Sequence, residues 1–130
     1  MEVGEAPKKK ILIVEDDAGL AQVYRDRLEI EGFETVEAHN GEDALVMATK
    51  ERPDLILLDV MMPKINGFDV LDILKNTPET MNIHVLMLSA LADEDNIIKS
   101  ERMGADDYMI KSQVVIDDMV NKIREVLETF

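Results

Sequence analysis

The stretch "ILIVEDD", residues 11–17, runs four apolar residues directly into three acidic ones. Four consecutive apolar residues are typical of a strand that is covered on both faces, as in a parallel sheet. Glu15, Asp16 and Asp17 follow that predicted strand, and the next basic residue is Arg25. Two carboxylates about 4 Å apart repel each other by about 4 kcal/mol at an effective dielectric constant of about 20. The cluster therefore requires either a compensating positive charge or side chains that point apart into water.

Similar apolar runs recur along the chain. They cover residues 10–14, 33–38, 54–59, 83–89 and 107–110, and all but the second are nearly continuously apolar. The segments between them carry apolar residues at helical spacing. Five strand-then-helix units predict an α/β fold, a (βα)5 doubly wound parallel sheet with helices on both faces.

Capping residues and apolar stripes define the predicted helices. Asn40 and Asp93 are expected N-caps, Asp17 is a third candidate, and Gly32 is an expected helix end. The fourth helix, which contains Ile97, has a thin apolar face. The stripes of the first and last helices are Leu20, Val23, Tyr24 and Leu28, and Ile116, Met119, Val120, Ile123 and Leu127.

Composition bounds the function. With 130 residues and 46% hydrophobic content the chain has the size of one globular domain. A net charge of −14 argues against binding of nucleic acid or of an anionic membrane surface by this chain. The absence of cysteine fits a reducing, cytoplasmic location. The apolar runs are too short to span a bilayer, and the basic residues near the N-terminus lack the apolar segment of a signal peptide.

Polar residues close several of the predicted strands. Asp59 ends the third apolar run, Ser89 ends the fourth, and Lys111 follows the fifth. Because the carboxyl ends of parallel strands meet at one edge of the sheet, we expect these side chains to lie beside Asp16. Converging carboxylates favour Mg²⁺, and a carboxylate can also act as a nucleophile that forms an aspartyl phosphate.

Four motifs, "KILIVEDD", "DLILLDVMMPKINGFDVL", "HVLMLSALAD" and "GADDYMIKS", closely resemble the receiver domain of two-component response regulators. The similarity extends from about Lys9 to the last helix. It implies a flavodoxin-like fold with strand order 2-1-3-4-5, a receiver domain over residues 9–130 and a flexible tail over residues 1–8. It also implies a phosphoacceptor signalling domain rather than an enzyme that acts on other substrates.

The resemblance assigns a role to each motif residue. Asp59 is implied to be the phosphoacceptor and, with Asp16, a direct ligand of Mg²⁺, with Mn²⁺ as an implied substitute. The backbone carbonyl of Met61 is implied as a further ligand, and Glu15 as a ligand through water. Lys111 is implied to neutralise the phosphoryl group.

The same resemblance assigns the switch. Ser89 is implied to be the switch hydroxyl and Tyr108 the aromatic residue whose burial follows it. Met61 and Leu91 are implied to flank the water that hydrolyses the aspartyl phosphate. Because both side chains are apolar, we expect slow self-dephosphorylation.

One position departs from the family pattern. Receiver domains usually place a proline after the lysine, often in a cis peptide, whereas this chain has Ser112. Because a cis bond before a residue other than proline costs about 2.5–4 kcal/mol, a trans bond between Lys111 and Ser112 is an open possibility. The two histidines, His39 and His84, are expected near strand ends and away from the acidic edge.

The implied partners are a histidine kinase or a phosphotransfer protein, and a downstream effector that the sequence does not identify. The chain is expected to be a monomer or a phosphorylation-dependent homodimer. A stand-alone protein and a receiver excised from a longer chain are equally compatible with the sequence.

Three other functions fit the sequence less well. A Mg²⁺-dependent phosphatase with an aspartate nucleophile requires a second acid two residues further on, where this chain has Met61. A flavin-binding electron carrier requires small or hydroxyl residues after the first strand, where the acidic run would repel phosphate. A degenerate module that is not phosphorylated is the third alternative, and the complete set of motif residues argues against it.

Overall fold

The computed structural model describes residues 7–90 and 93–128 of the chain. In these residues strands and helices alternate in the predicted order, and each strand agrees with its apolar run to within one residue. The elements are β1 Lys10–Val14, α1 Ala18–Ile30, β2 Glu34–Ala38, α2 Gly41–Glu51, β3 Leu55–Asp59, α3 Gly67–Lys75, β4 His84–Ser89, α4 Glu94–Arg102, β5 Asp107–Ile110 and α5 Ile116–Leu127. Residues 1–6 of the predicted tail lie outside the described residues.

The strands form one parallel sheet in the order β2-β1-β3-β4-β5. This confirms the predicted flavodoxin-like topology. The strand order reverses at β1, because β2 lies on one side of it and β3 on the other. A binding crevice is expected outside the carboxyl ends of the strands at this reversal.

Alternate residues of the central strands supply two apolar cores, one on each face of the sheet. On one face, Ile11, Ile13 and Leu57 pack with α1 and α5. On the other face, Leu12, Leu58 and their neighbours pack with α2 and α3. Burial on both faces explains why the central strands are continuously apolar.

The local signals for the helix ends are confirmed. Asn40 accepts a hydrogen bond from the Asp43 amide at 2.8 Å, and Asp93 accepts one from the Asp95 amide at 2.9 Å. Gly32 has a φ of +96°, a conformation that favours glycine at a helix end. Among its described residues, α4 buries only Ser100, as its thin apolar stripe predicts.

The predicted stripe of α1 is wrong at one position. Val23 is 54% exposed, and the buried face is formed by Ala21, Tyr24 and Leu28. Successive residues of a helix are about 100° apart, so Val23 points away from the sheet when Tyr24 faces it. Within the described part of the chain, no helix is long and apolar enough to cross a bilayer.

Candidate functional site

The carboxyl ends of four strands bring the predicted site residues to one edge of the sheet. Glu15 and Asp16 follow β1, Asp59 is the last residue of β3, Ser89 is the last residue of β4, and Lys111 follows β5. The residues of the acidic run have two different roles. The Asp17 carboxylate accepts a hydrogen bond from the Leu20 amide at 3.1 Å, so Asp17 is the N-cap of α1.

Glu15, Asp16 and Asp59 form a compact carboxylate cluster. One oxygen from each residue lies within 4.8 Å of the other two. Glu15 and Asp59 are buried, each with 2% of its surface exposed, whereas Asp16 is exposed to solvent. Two carboxylates of the cluster are therefore buried, and the third is accessible to solvent.

Lys111 supplies the positive charge that this cluster requires. Its Nζ donates to Glu15 Oε2 at 2.8 Å and to Asp59 Oδ2 at 3.0 Å. Burial opposes the charge of the ammonium group, but the hydrogen bonds with Glu15 and Asp59 outweigh it and raise the pKa of Lys111. A single lysine thus bridges two buried carboxylates.

The lysine does not fully compensate Glu15. Burial raises the pKa of Glu15 to about 7, the hydrogen bond with Lys111 lowers it, and the charge of Asp59 raises it further. In the absence of a cation, the folded state therefore holds the charged form of Glu15 at a free-energy cost.

This donor set fits a hard divalent cation. Mg²⁺ prefers carboxylate oxygen ligands, usually takes only one or two of them, and keeps several water molecules. A cation at this cluster could keep water ligands on the side of the exposed Asp16, while the buried Asp59 binds it from the protein side. This cluster has the composition that the resemblance to receiver domains implies for a Mg²⁺ site.

The loop after β3 is held against Asp59. The Met61 amide donates to Asp59 Oδ1 at 3.0 Å, and the Gly67 amide donates to the Val60 carbonyl at 2.8 Å. A Cβ at Gly67 would overlap the carbonyl oxygen of Asp59, so this position requires glycine. The Met61 side chain is 53% exposed.

The turn after β5 places Lys111 without a cis peptide. Among the described residues no peptide bond is cis, so the bond between Lys111 and Ser112 is trans. The Lys111 amide donates to the Ser89 carbonyl at 2.7 Å, which ties the end of β5 to the end of β4. The lysine therefore reaches the carboxylates although the proline of the family pattern is missing.

The predicted switch residues lie at different depths. Ser89 is fully buried at the same edge as the carboxylates. Tyr108 pairs with Met87 in the sheet and packs partly against the core on the α3 side. It also lines a cavity of about 270 Å³ beside α4. Leu91, the second residue predicted to control dephosphorylation, lies outside the described residues.

Two residues near the cluster were not predicted as part of the site. Tyr24 of α1 is buried near the carboxylates: burial raises the pKa of its phenol, Lys111 lowers it, and Glu15 and Asp59 raise it. Its only signal in the sequence is a tyrosine on the apolar stripe of α1.

The prediction that both histidines lie away from the acidic edge is wrong for His39. Its Nδ1 lies 3.1 Å from the carbonyl oxygen of Glu15. His39 also lines a cavity of about 410 Å³ together with Asp16 and Lys64. The parallel pairing of β1 and β2 explains this position, because it brings the residue after β2 beside the residue after β1. His84, at the start of β4, lies at the opposite edge as expected.

Comparison with known proteins gives a consistent result. Residues 11–124 match the family described as the response regulator receiver domain. The chain is 41% identical over 107 residues to a probable transcriptional regulator, ycf27, of Porphyra purpurea, covering 82% of this chain and 43% of that protein. It is 42% identical over 118 residues to the transcriptional regulatory protein CpxR of Escherichia coli, covering 91% of this chain and 49% of that protein. The chain thus spans less than half the length of these two relatives.

Solved structures agree with the sequence comparison. The fold is similar to a response regulator receiver domain from Francisella, with a TM-score of 0.86 and 31% identity, covering 93% of this chain and 98% of that one. It is also similar to a CheY-like receiver domain protein from Methanospirillum hungatei, with a TM-score of 0.87 and 30% identity, covering 94% of this chain and 95% of that one.

Proposed function

Because the chain belongs to the response regulator receiver domain family, we propose that it is a signalling switch in which Asp59 accepts a phosphoryl group from a phosphohistidine. The observation that carries this proposal is the position of Lys111, whose ammonium group contacts both Glu15 and Asp59. These contacts lie at the carboxyl ends of the strands, beside the point where the strand order reverses. A lysine held on the proposed nucleophile is suited to neutralise the charge of an incoming phosphoryl group.

Phosphoryl transfer would form one bond and break another. An Asp59 carboxylate oxygen attacks the phosphorus, the bond from phosphorus to the donor imidazole nitrogen breaks, and the released imidazole takes up a proton. Met61 and Lys111 orient the nucleophile, because the Met61 amide holds Oδ1 and the Lys111 ammonium holds Oδ2. Catalysis of this kind depends mainly on positioning and charge neutralisation.

The proposed metal ligands are Asp16, Asp59 and the backbone carbonyl of Met61, with Glu15 binding through water. When bound, Mg²⁺ or Mn²⁺ would neutralise the negative charge that gathers on the phosphoryl oxygens. The carboxylate cluster supports this assignment, because its three oxygens lie within 4.8 Å of one another.

The proposed output involves Ser89, Tyr108 and the elements around them. A new phosphoryl group at Asp59 would attract the Ser89 hydroxyl, and Tyr108 would turn inward against α4. The surface of β5 with α4 and α5 would then change for an effector or a second copy of the chain. A histidine kinase or a phosphotransfer protein is the proposed donor, and a cytoplasmic location is part of the same proposal.

A phosphorylation assay tests the proposal. The chain is incubated with a small acyl phosphate and Mg²⁺, and its intact mass is measured with and without EDTA. We expect the mass of one phosphoryl group in wild type and in Asp54→Asn, and no gain in Asp59→Asn. Asp54 is a matched control, because it precedes β3 whereas Asp59 ends it. Equal phosphorylation of Asp59→Asn would show that the acceptor is elsewhere.

A further inference from the structure

The imidazole of His39 lies between two acceptor oxygens, one beside each ring nitrogen. Nδ1 lies 3.1 Å from the Glu15 carbonyl oxygen, and Nε2 lies 3.3 Å from Glu37 Oε2. A carbonyl oxygen only accepts hydrogen bonds, so Nδ1 must carry a hydrogen and donate it. Nε2 can donate to Glu37 as well only in the imidazolium form, so the contact common to both forms of the ring is the bond from Nδ1 to the Glu15 carbonyl.

The bond to Glu15 acts on the backbone of its neighbour Asp16. The carbonyl of Glu15 and the amide of Asp16 belong to one peptide group, which is planar. The backbone pairing between the first two strands continues to the bond from the Glu15 amide to the Ala38 carbonyl at 3.1 Å. Among the described residues, the next donor to this edge of β1 is the His39 ring. Holding the Glu15 carbonyl therefore restricts rotation of the peptide that leads into Asp16.

Glu37, which lies beside the ring, is paired with α1. The other oxygen of Glu37, Oε1, accepts from the Arg25 guanidinium at 3.0 Å. The Glu37 side chain is 16% exposed and the Arg25 side chain 41% exposed, so only the glutamate end of the pair is well shielded from solvent. Arg25 lies on α1, the helix that begins directly after the acidic run. The ring is thus bonded to the end of β1 through Glu15, and its other face lies beside a glutamate that is paired with α1 through Arg25.

We propose that His39 is a positioning residue for the cation site, because it holds the peptide between Glu15 and Asp16 in the orientation in which the Asp16 carboxylate meets Mg²⁺. The inference rests on the proposed Mg²⁺ site. His39 and Asp16 line the same cavity, so the ring acts beside the carboxylate that it orients. Groups that orient a metal ligand commonly affect affinity although they do not touch the metal.

The chain offers a matched control in His84. Its Nδ1 lies 3.2 Å from Asp106 Oδ1, so it also makes one contact with an acceptor oxygen. His84 begins β4 and lies at the amino edge of the sheet, opposite the carboxylate cluster. Loss of the His84 ring should therefore leave the cation site unchanged.

The experiment is a Mg²⁺ titration of the full chain followed by amide NMR at Asp16 and Asp59. It compares wild type with H39A, H39N and H84A, and the spectrum in EDTA reports that each variant is folded. H39A should raise the Kd for Mg²⁺ about three- to tenfold, the equivalent of one hydrogen bond. H39N keeps a donor near the position of Nδ1 and should stay within about twofold of wild type, as should H84A.

The outcomes separate the two proposals. A wild-type chain without Mg²⁺-dependent shifts would overturn the cation site and the role of His39 together. Wild-type affinity in H39A would overturn only the role of His39. Binding by H39N as weak as that of H39A would show that the hydrogen bond is not the cause, and equal weakening in H84A would show a general effect on the fold.

Discussion

Replacing Glu15 with glutamine should stabilise the protein in the absence of metal, and only above a defined pH. Burial raises the pKa of Glu15 from 4.5 to about 7. The protonated carboxyl is tolerated by the fold, so its contribution to stability is intact below pH 4.5 and is lost as the pH rises to about 7. Glutamine has a similar shape and no charge, so the variant does not suffer this loss.

The expected gain in the free energy of unfolding follows from the raised pKa of Glu15. The difference between a pKa of 4.5 and one of about 7 corresponds to about 3 kcal/mol. Because water reaches the cluster beside the exposed Asp16, screening reduces the figure, and we expect about 1–3 kcal/mol. Glu15→Gln should thus unfold at a higher urea concentration than wild type at pH 8, and at nearly the same concentration at pH 4.5.

The assay is urea unfolding at both pH values in EDTA. Comparing the variant with wild type at each pH cancels the titrating groups that do not contact Glu15, which the two proteins share. Glu34→Gln is the control, since Glu34 is exposed at the start of β2 and its replacement should give no gain that grows with pH. A Glu15→Gln variant that is less stable than wild type at pH 8, or whose gain is the same at both pH values, would mean that the charge of Glu15 does not destabilise the fold.

Three further perturbations test other parts of the site. Lys111→Met should lower the free energy of unfolding in EDTA at pH 8 by about 2–4 kcal/mol, because it leaves two buried carboxylates without their cation. Gly67→Ala should lower it by about 1–3 kcal/mol, because the new Cβ overlaps the Asp59 carbonyl and the loop must shift. Phosphorylated Met61→Asn/Leu91→Glu should lose its phosphoryl group at least about tenfold faster than wild type, because polar side chains can orient the attacking water.

Each of these has a result that contradicts it. Unchanged urea midpoints in Lys111→Met would mean that the lysine does not compensate the cluster. Wild-type stability of Gly67→Ala would mean that the loop after β3 accommodates a side chain there. A double variant that loses its phosphoryl group no faster than wild type would mean that the apolar side chains do not slow hydrolysis.

Most of the fold follows from the sequence, because burial on both faces makes the central strands continuously apolar. The ends of those runs place Asp59, Ser89 and Lys111 at one edge once the strands are known to be parallel. The reach of Lys111 across to β1 and β3 could not be derived in this way, since it depends on the turn at Ser112. That turn is trans and still delivers the ammonium group to both carboxylates.

The positions of Tyr24 and His39 near the site could not be predicted from sequence patterns. A tyrosine on an apolar stripe is expected in a core, and the stripe does not reveal that the ring lies near a charged cluster. The position of His39 depends on the pairing of β1 with β2, and no spacing along the chain encodes its contact with Glu15. The error at Val23 has a similar origin, because its apolar side chain fits the helical period but falls outside the face that meets the sheet.

The most direct test of the central claim is chemical localisation of the phosphoryl group. Borohydride reduces an acyl phosphate to an alcohol, so a phosphorylated aspartate becomes homoserine and can be located by peptide mass spectrometry. After incubation with a phosphorylated histidine phosphotransfer protein and Mg²⁺, we expect homoserine at position 59 and none in a sample prepared with EDTA. Homoserine at position 16 or at any other aspartate, or reduction that is equal in EDTA, would contradict it.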